Sequence, residues 1–250
     1  MNCTPQELYV AALARGLGDS RHVAVGSASP YPAAAAWLAH LASGGRMRVS
    51  MLGGRSVFIT DGGKELFDCA ASGRIDAFFL SGGQIDGEAN INLMGTGDYP
   101  DLKVRWGGTY GAPYLYALAK RVVLFRDEHT PRVLTRKVDF VTAAGTNEAN
   151  VYRPGGPKVL VTSRCVFGFA PERKRFTLES VHPGQTADDI RRATGFDYDL
   201  PAGEVPTTAA PSAEILFLLR NEVAPLLAGT YPQFAREVLG WDARKTAAVA

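Results

Sequence analysis

Short apolar runs alternate with longer stretches in which apolar positions recur every three or four residues, and this alternation organises the first half of the chain. Thr4-Pro5-Gln6-Glu7 is a capping box with proline at the first helical position, and Gly16 and Gly18 mark a stop, so the spacing predicts a helix over 5–15. Residues 22–26 read as a strand, 27–32 as a loop with two prolines, and 33–42 as an alanine-rich helix closed by Ser43-Gly44-Gly45. The unit repeats with strand 47–52, a break at Gly53-Gly54, helix 64–72 and strand 75–80. Strand 103–106, a helix near 113–120 and strand 121–125 continue it. From residue 138 the texture changes, because 138–142, 157–162, 166–169 and 175–181 are strand-like with no long helix between them. Thr186-Ala-Asp-Asp189 caps a helix ending near 194, and the stretch 200–211, with three prolines, reads as a connector over the surface. Helices follow at 211–227 and 232–240, and 245–250 reads as a frayed tail. The expected fold class is α/β: an open, mainly parallel sheet with flanking helices and a mixed or antiparallel extension, in a single domain over 1–250.

One stretch breaks the scaffold pattern. The apolar run 77–80 ends in Ser81-Gly82-Gly83, and behind it Gln84, Asp86, Glu88, Asn90 and Asn92 alternate with Ile85, Gly87, Ala89 and Ile91. If the segment is extended, the polar side chains share one face, just past the carboxyl end of a strand where open α/β sheets bind ligands. A solvated hairpin rich in turn residues fits the same pattern. Trp106-Gly107-Gly108-Thr109 likewise puts glycines after a strand, leaving backbone N–H groups open to a ligand or forming a plain tight turn. Arg126 follows the strand 121–125 and opens a polar run, Arg-Asp-Glu-His129. A guanidinium there sits at the rim, able to hold a carboxylate or oxyanion bidentately; the alternative is a surface pair with Asp127 or Glu128.

Composition narrows the classes. At 250 residues, 46% hydrophobic and 21% charged, the chain can bury a full core, and a formal charge of +2 with no lysine/arginine block gives no reason to expect nucleic-acid binding. Its basic patches are short and local. Cys3, Cys69 and Cys165 lie far apart, so neither a disulfide framework nor a zinc site is indicated, and a reducing cytoplasm is the expected compartment. The longest apolar stretch, 33–42, is too short to span a bilayer, so a soluble, unprocessed protein with no membrane partner is expected. No phosphate loop, nucleophile elbow, H-E-x-x-H or complete G-x-G-x-x-G is present, and His22, His40, His129 and His182 show no metal-ligand spacing; no metal is expected.

The ordered set Val-Gly-Ser-Ala-Ser-Pro at 25–30, Ser-Gly-Gly-Gln-Ile-Asp-Gly-Glu-Ala-Asn-Ile-Asn at 81–92, Cys-Val-Phe-Gly-Phe at 165–169, and His182-Pro-Gly with Ala193-Thr-Gly-Phe196 resembles the β subunit of class I coenzyme A transferases of the glutaconate type. The likeness runs from about residue 5 to 227. It implies an open α/β fold of the transferase/isomerase superfamily, an α (A) subunit of similar fold, an α2β2 heterotetramer, and an active site between the subunits. It implies no separate cofactor, because the substrate itself carries coenzyme A.

In these transferases a glutamate in a Ser-Glu-Asn-Gly pattern takes the acyl group and then coenzyme A. Here the matching place reads Ser50-Met51-Leu52-Gly53, and a thioether cannot form the anhydride or the glutamyl thioester. That departure resembles the offshoot of the family in actinobacterial steroid degradation, a heteromeric hydrolase that opens a steroid-derived carbocycle, carried as a coenzyme A thioester, by adding water and cleaving a C–C bond. The resemblance implies that the catalytic glutamate lies on the A subunit. Arg126, as an electrostatic group, and Gln84 are then the catalytic candidates in this chain. Ser50, Met51, Gly53, Gly82, Gly83, Asn90, Asn92, Gly107 and Gly108 are the candidates for lining the pocket. A true transferase subunit with its nucleophile elsewhere, and a non-catalytic ligand-sensing domain, remain as alternatives; Met51 speaks against the first and the absence of a DNA-reading segment against a stand-alone regulator.

Overall fold

A computed structural model describes residues 3–54 and 62–242. In chain order the elements are α1 (Pro5–Gly16), β1 (His22–Val25), α2 (Pro30–Ala42), β2 (Arg48–Met51), α3 (Gly62–Ala71), β3 (Ala77–Leu80), β4 (Gln84–Ile85), β5 (Ile91–Asn92), β6 (Gly95–Thr96), β7 (Val104–Arg105), α4 (Ala112–Leu118), β8 (Arg121–Arg126), β9 (Pro157–Thr162), β10 (Cys165–Ala170), β11 (Arg175–Val181) and α5 (Ala187–Ala193). They are followed by α6 (Ala213–Leu218), a π turn (Leu219–Val223), α7 (Ala224–Ala228) and α8 (Pro232–Glu237). The expected tail at 245–250 lies outside the described residues. Chain packing forms two compact units, Met1–Gly62 with Ala209–Ala250, and Gly63–Thr208. Among the described residues no helix is long and apolar enough to cross a membrane.

In the first unit β1 and β2 run parallel, Val25 opposite Met51, and every residue of β1 is buried, as expected of a strand covered on both faces. α1 starts at the capping box the sequence encodes: Thr4 Oγ1 accepts from Glu7 N, and Glu7 Oε2 accepts from Thr4 N. Four consecutive alanines of α2, 33–36, are fully buried, and the small side chains let the backbone come close to its neighbours. α2 begins three residues earlier than the pattern suggests, since Pro30 and Pro32 fall in the first turn, where a missing N–H leaves no hydrogen bond unmade. The helix expected over 211–227 is divided by the π turn. Pro225 has no N–H for the carbonyl of Asn221, and its ring crowds that carbonyl, so the helix widens ahead of it. The same segment provides Arg220, which donates from Nε and Nη2 to the two oxygens of Glu7; Glu7 is only 3% exposed. Burial by itself raises that carboxyl's pKa, but the hydrogen bonds from Arg220 and Thr4 outweigh it and hold Glu7 below the usual carboxylate range.

In the second unit the strand order is β11-β10-β9-β8-β3. β3, β8 and β9 are parallel, and β10 and β11 add the antiparallel extension expected after residue 138. β3 is buried throughout, whereas β10 alternates buried and half-buried positions, the signature of a sheet covered on one side more than the other. Two expected sheet strands are absent. Among the described residues, 103–106 pair only with β6, as a small ribbon in which Gly95 takes φ +153°, and a Cβ there would meet the carbonyl of Val104 at 2.0 Å. Residues 138–142 form no strand: Val138 N donates to Asp86 Oδ2 at 3.4 Å and Thr142 Oγ1 accepts from Leu93 N at 2.9 Å, so the hairpin's side chains and backbone claim this segment residue by residue.

Replacing Glu7 by glutamine leaves the Arg220 cation facing a neutral amide. Breaking a buried pair costs about 3–5 kcal/mol; Arg220 keeps some solvent, so a loss of about 2 kcal/mol is expected for Glu7→Gln in urea unfolding at neutral pH. An unchanged midpoint and slope would mean that this pair does not hold the first unit together.

Candidate functional site

The segment after β3 does not run on as one strand. β4 and β5 pair antiparallel, Gln84 opposite Asn92 and Ile85 opposite Ile91, so the polar residues divide into a buried pair at the hairpin base and a turn at 86–90. Asp86 builds the turn: Oδ1 accepts from Glu88 N at 3.1 Å and Asn90 N at 3.0 Å, and Oδ2 accepts from Asn90 Nδ2 at 3.1 Å. Asn90 Oδ1 accepts from Gly145 N, so Asn90 is occupied by the turn rather than presented from it. Unlike the solvated hairpin considered from the sequence, this one is sealed: Ile85, Ala89, Ile91 and Asn92 are fully buried.

Asn92 sets the base. Its Oδ1 accepts from Met94 N at 2.9 Å, which fixes the amide orientation, and its Nδ2 donates at 2.7 Å to both Gln84 Oε1 and the carbonyl of Gly95. Gln84 Oε1 also accepts from the backbone N–H of Asp139 at 2.9 Å. With that oxygen held by two donors, the Gln84 Nε2 group has no partner among the described residues and is the free end of a fixed side chain. Gly83 lies under the Trp106 ring, where a Cβ would meet ring carbons at 2.1 Å, and Gly82 is closed in by Ile91 and the backbone. Gly107 and Gly108 follow that indole and face open space, Gly108 with φ +97°. Gly82, Gly83, Gln84, Asn92, Gly107 and Gly108 thus belong to one neighbourhood joined by the hairpin and Trp106.

Arg126 is the last residue of β8. The final β3–β8 pair is Leu80 with Leu124; Arg126 ends β8 two residues on, and Gly82 lies two residues past the end of β3. The guanidinium is 3.6 Å from Glu128, but that carboxylate is held more closely by Thr130 Oγ1 at 2.8 Å and by Arg132 at 2.7 Å. The Thr130 hydroxyl and Arg132 keep Glu128 below the usual carboxylate range. Among the described residues, Arg126 Nε is buried with no hydrogen-bond partner.

The remaining candidates lie in the first unit. Met51 ends β2 and is 3% exposed; Ser50 is 1% exposed, with its Oγ 2.8 Å from His22 Nε2. Gly53 turns the chain with φ +77°. Sequence reasoning did not find Asp139, which acts through a backbone N–H that no side-chain pattern reveals. It also did not assign Trp106 its role over Gly83, although the bulky residue before a glycine pair was visible.

A second polar cluster is structural. Thr194 Oγ1 donates to the carbonyl of Ile190, so it accepts from His129 Nε2 at 2.9 Å; Thr162 Oγ1 accepts from the N–H groups of Arg164 and Cys165, so it donates to His129 Nδ1 at 2.8 Å. The network fits neutral imidazole. Burial, then the Arg164 and His182 charges, bring its pKa from 6.5 to about 4. Burial pushes the neighbouring Cys165 thiol up to about 12, away from nucleophilic use.

Residues 9–193 match the Coenzyme A transferase family, and the chain belongs to that family. The B component of the 3-oxoadipate CoA-transferase of Pseudomonas knackmussii is 36% identical over 155 residues, covering 59% of this chain and 58% of its own length. The cholesterol ring-cleaving hydrolase IpdB subunit of Rhodococcus jostii is 29% identical over 166 residues, 65% of this chain and 64% of its own length. The chain therefore matches less than two thirds of the length of these curated relatives. Among solved structures, the decarboxylase AibA/AibB superposes with a TM-score of 0.74 at 25% identity, over 90% of this chain and 99% of that one. The mixed α/β fold with mainly parallel strands is thus the fold of this family.

His129 makes stability depend on pH with a definite sign. Between about pH 6.5 and 4 the unfolded chain binds a proton that the folded chain refuses, so stability falls as pH falls through this window, by at most about 3 kcal/mol. Urea titrations at pH 7 and pH 4.5 should show a larger loss for wild type than for His129→Gln; equal losses would mean that the imidazole takes its proton without disturbing the network.

Proposed function

We propose that this chain is the B subunit of a two-chain enzyme that opens a carbocyclic ring of a steroid-derived coenzyme A thioester by water addition and C–C cleavage. The observation that carries the reading is Met51: at the strand-end position where the family resemblance places the transferase glutamate stands a buried thioether, which has no carboxyl group from which to make an acyl anhydride or a glutamyl thioester. The IpdB relative supports the hydrolase chemistry, and the two-part name of the decarboxylase AibA/AibB supports both a partner subunit and a family fold that hosts reactions other than transfer. The partner, in an α2β2 assembly, supplies the glutamate that deprotonates water.

Hydroxide adds to the ring ketone, the C–C bond breaks to give a carboxylic acid with its electron pair left as an enolate conjugated to the thioester, and the proton taken from water by the partner's glutamate returns to the enolate carbon. Addition and cleavage both place negative charge on oxygen. Gln84 Nε2, held from behind at Oε1, donates to one such oxygen, and Arg126 supplies charge and the unpaired Nε donor. Gly107 and Gly108 leave the backbone open for the thioester arm to approach. The second reading is a true transferase subunit, favoured by the higher identity to the 3-oxoadipate enzyme. It requires an acyl acceptor other than Met51.

The chain alone should turn over no coenzyme A thioester, and co-expression with the A subunit should restore activity; turnover by the single purified chain would place the base here and defeat the two-chain reading. In the assembled enzyme Arg126→Ala should lower kcat/KM at least tenfold, about 1.4 kcal/mol, with Arg126→Lys recovering only part because an ammonium lacks the planar fork. Wild-type kinetics in both variants would make Arg126 a surface residue. Met51→Glu with Leu52→Asn should not produce efficient transfer, since the shell around a thioether has no groups to orient a carboxylate; robust succinyl transfer by the double variant would favour the second reading.

A further inference from the structure

The Trp106 indole lies over Gly83, the residue before Gln84, and only part of it is buried. We propose that this indole is the apolar wall against which the carbocyclic ring of the substrate packs, so that Trp106 selects cyclic over straight-chain acyl groups; this rests on the coenzyme A thioester reading above.

The ring is fixed by the same asparagine that fixes the Gln84 donor. Met94 donates its N–H to Asn92 Oδ1 at 2.9 Å and its carbonyl accepts from Trp106 N at 2.9 Å, while Gly83 N donates to the carbonyl of Asn92 at 2.9 Å. Asn92 thus sets the backbone that carries the indole, the glycine beneath it and, through Nδ2, the amide oxygen of Gln84. A Cβ on Gly83 would fall inside van der Waals contact of three atoms of the six-membered ring, so the benzene half of the indole rests on bare backbone. Trp106 makes no ring stack or cation contact among the described residues, whereas Trp37 is held edge-on by His40 with centroids 5.2 Å apart.

The next position leaves room for a ligand. Gly107 does not adopt a left-handed φ, and a Cβ on it would meet nothing within 4 Å, so neither the backbone nor a neighbour calls for glycine there. A substrate approaching the backbone does call for it, and the thioester arm assigned to this stretch brings the acyl group alongside the indole. An indole is a flat apolar surface already in place, and a carbocycle has fewer rotations to freeze against it than an open chain of the same carbon count. The wall then holds the carbon skeleton while Gln84 Nε2 meets the oxygen.

The test is calorimetric titration of the assembled two-chain enzyme with cyclohexanecarbonyl-coenzyme A, which has no ring ketone and cannot be opened, beside heptanoyl-coenzyme A, a straight chain of the same carbon count. The cyclic thioester is expected to bind about tenfold more tightly. Trp106→Leu keeps an apolar side chain over Gly83 but no flat face, and should bring the two affinities to within about twofold; Trp106→Phe should keep most of the preference. Both ligands are read on one preparation, so a partly unfolded variant binds less of each and leaves their ratio unchanged. Equal affinities in the wild type, a preference unchanged in Trp106→Leu, or a preference lost as fully in Trp106→Phe as in Trp106→Leu would each overturn the wall. A cyclic preference that depends on Trp106, in an enzyme that opens no cyclic keto thioester, supports the wall and sinks the functional reading; ring opening without cyclic preference does the reverse.

Discussion

A fully buried asparagine governs what the second unit can offer a ligand. Every hydrogen-bonding group of Asn92 is directed inward, two backbone N–H groups against its oxygen and two acceptors against its nitrogen. In that low-dielectric setting an unpaired group is costly, so the hairpin base has one arrangement. Gln84 inherits this rigidity through its oxygen, and its amide nitrogen is left as a donor whose direction is set before any substrate arrives. Donors fixed in advance are what stabilise charge in a transition state, since nothing has to reorganise when the charge appears.

The two units carry different groups at their strand ends. In the first, β2 ends on the thioether of Met51, and its buried neighbour Ser50 is tied to His22. In the second, an arginine with an unpaired buried donor and a glutamine with a free amide group stand at or just past the ends of parallel strands. Ser50 and His22 form a buried hydroxyl–imidazole pair in the first unit, while the second presents hydrogen-bond donors at its strand ends.

What was legible in the sequence was what local rules determine. Both capping boxes, at Thr4 and Thr186, occur as read, because a cap is a contact between residues three apart. The strands β9 to β11 also occur nearly to the residue, since β-branched and aromatic runs bounded by turn residues leave few alternatives. The sequence left an extended lip and a solvated hairpin both open at 84–92, because alternation of period two is the same in one strand and in a strand that folds back; the structure has a hairpin, but a buried one, built on the hydrogen bonds of Asp86 to its own turn. The strand expected over 138–142 failed for a tertiary reason: its N–H groups and hydroxyl are claimed by Asp86, Gln84 and Leu93, far away in sequence. For the site, strand-end position pointed to Arg126 and Gln84. The Asp139 N–H that orients Gln84 and the His22 that holds Ser50 are products of folding.

The central claim is that this chain supplies fixed donors and never a covalent intermediate. It is tested most directly by incubating the assembled two-chain enzyme with a coenzyme A thioester in water labelled with heavy oxygen, then measuring the intact mass of this chain and the label in the product. The account predicts an unmodified chain and heavy oxygen in the newly formed carboxylate; a coenzyme A or acyl adduct on this chain would contradict it.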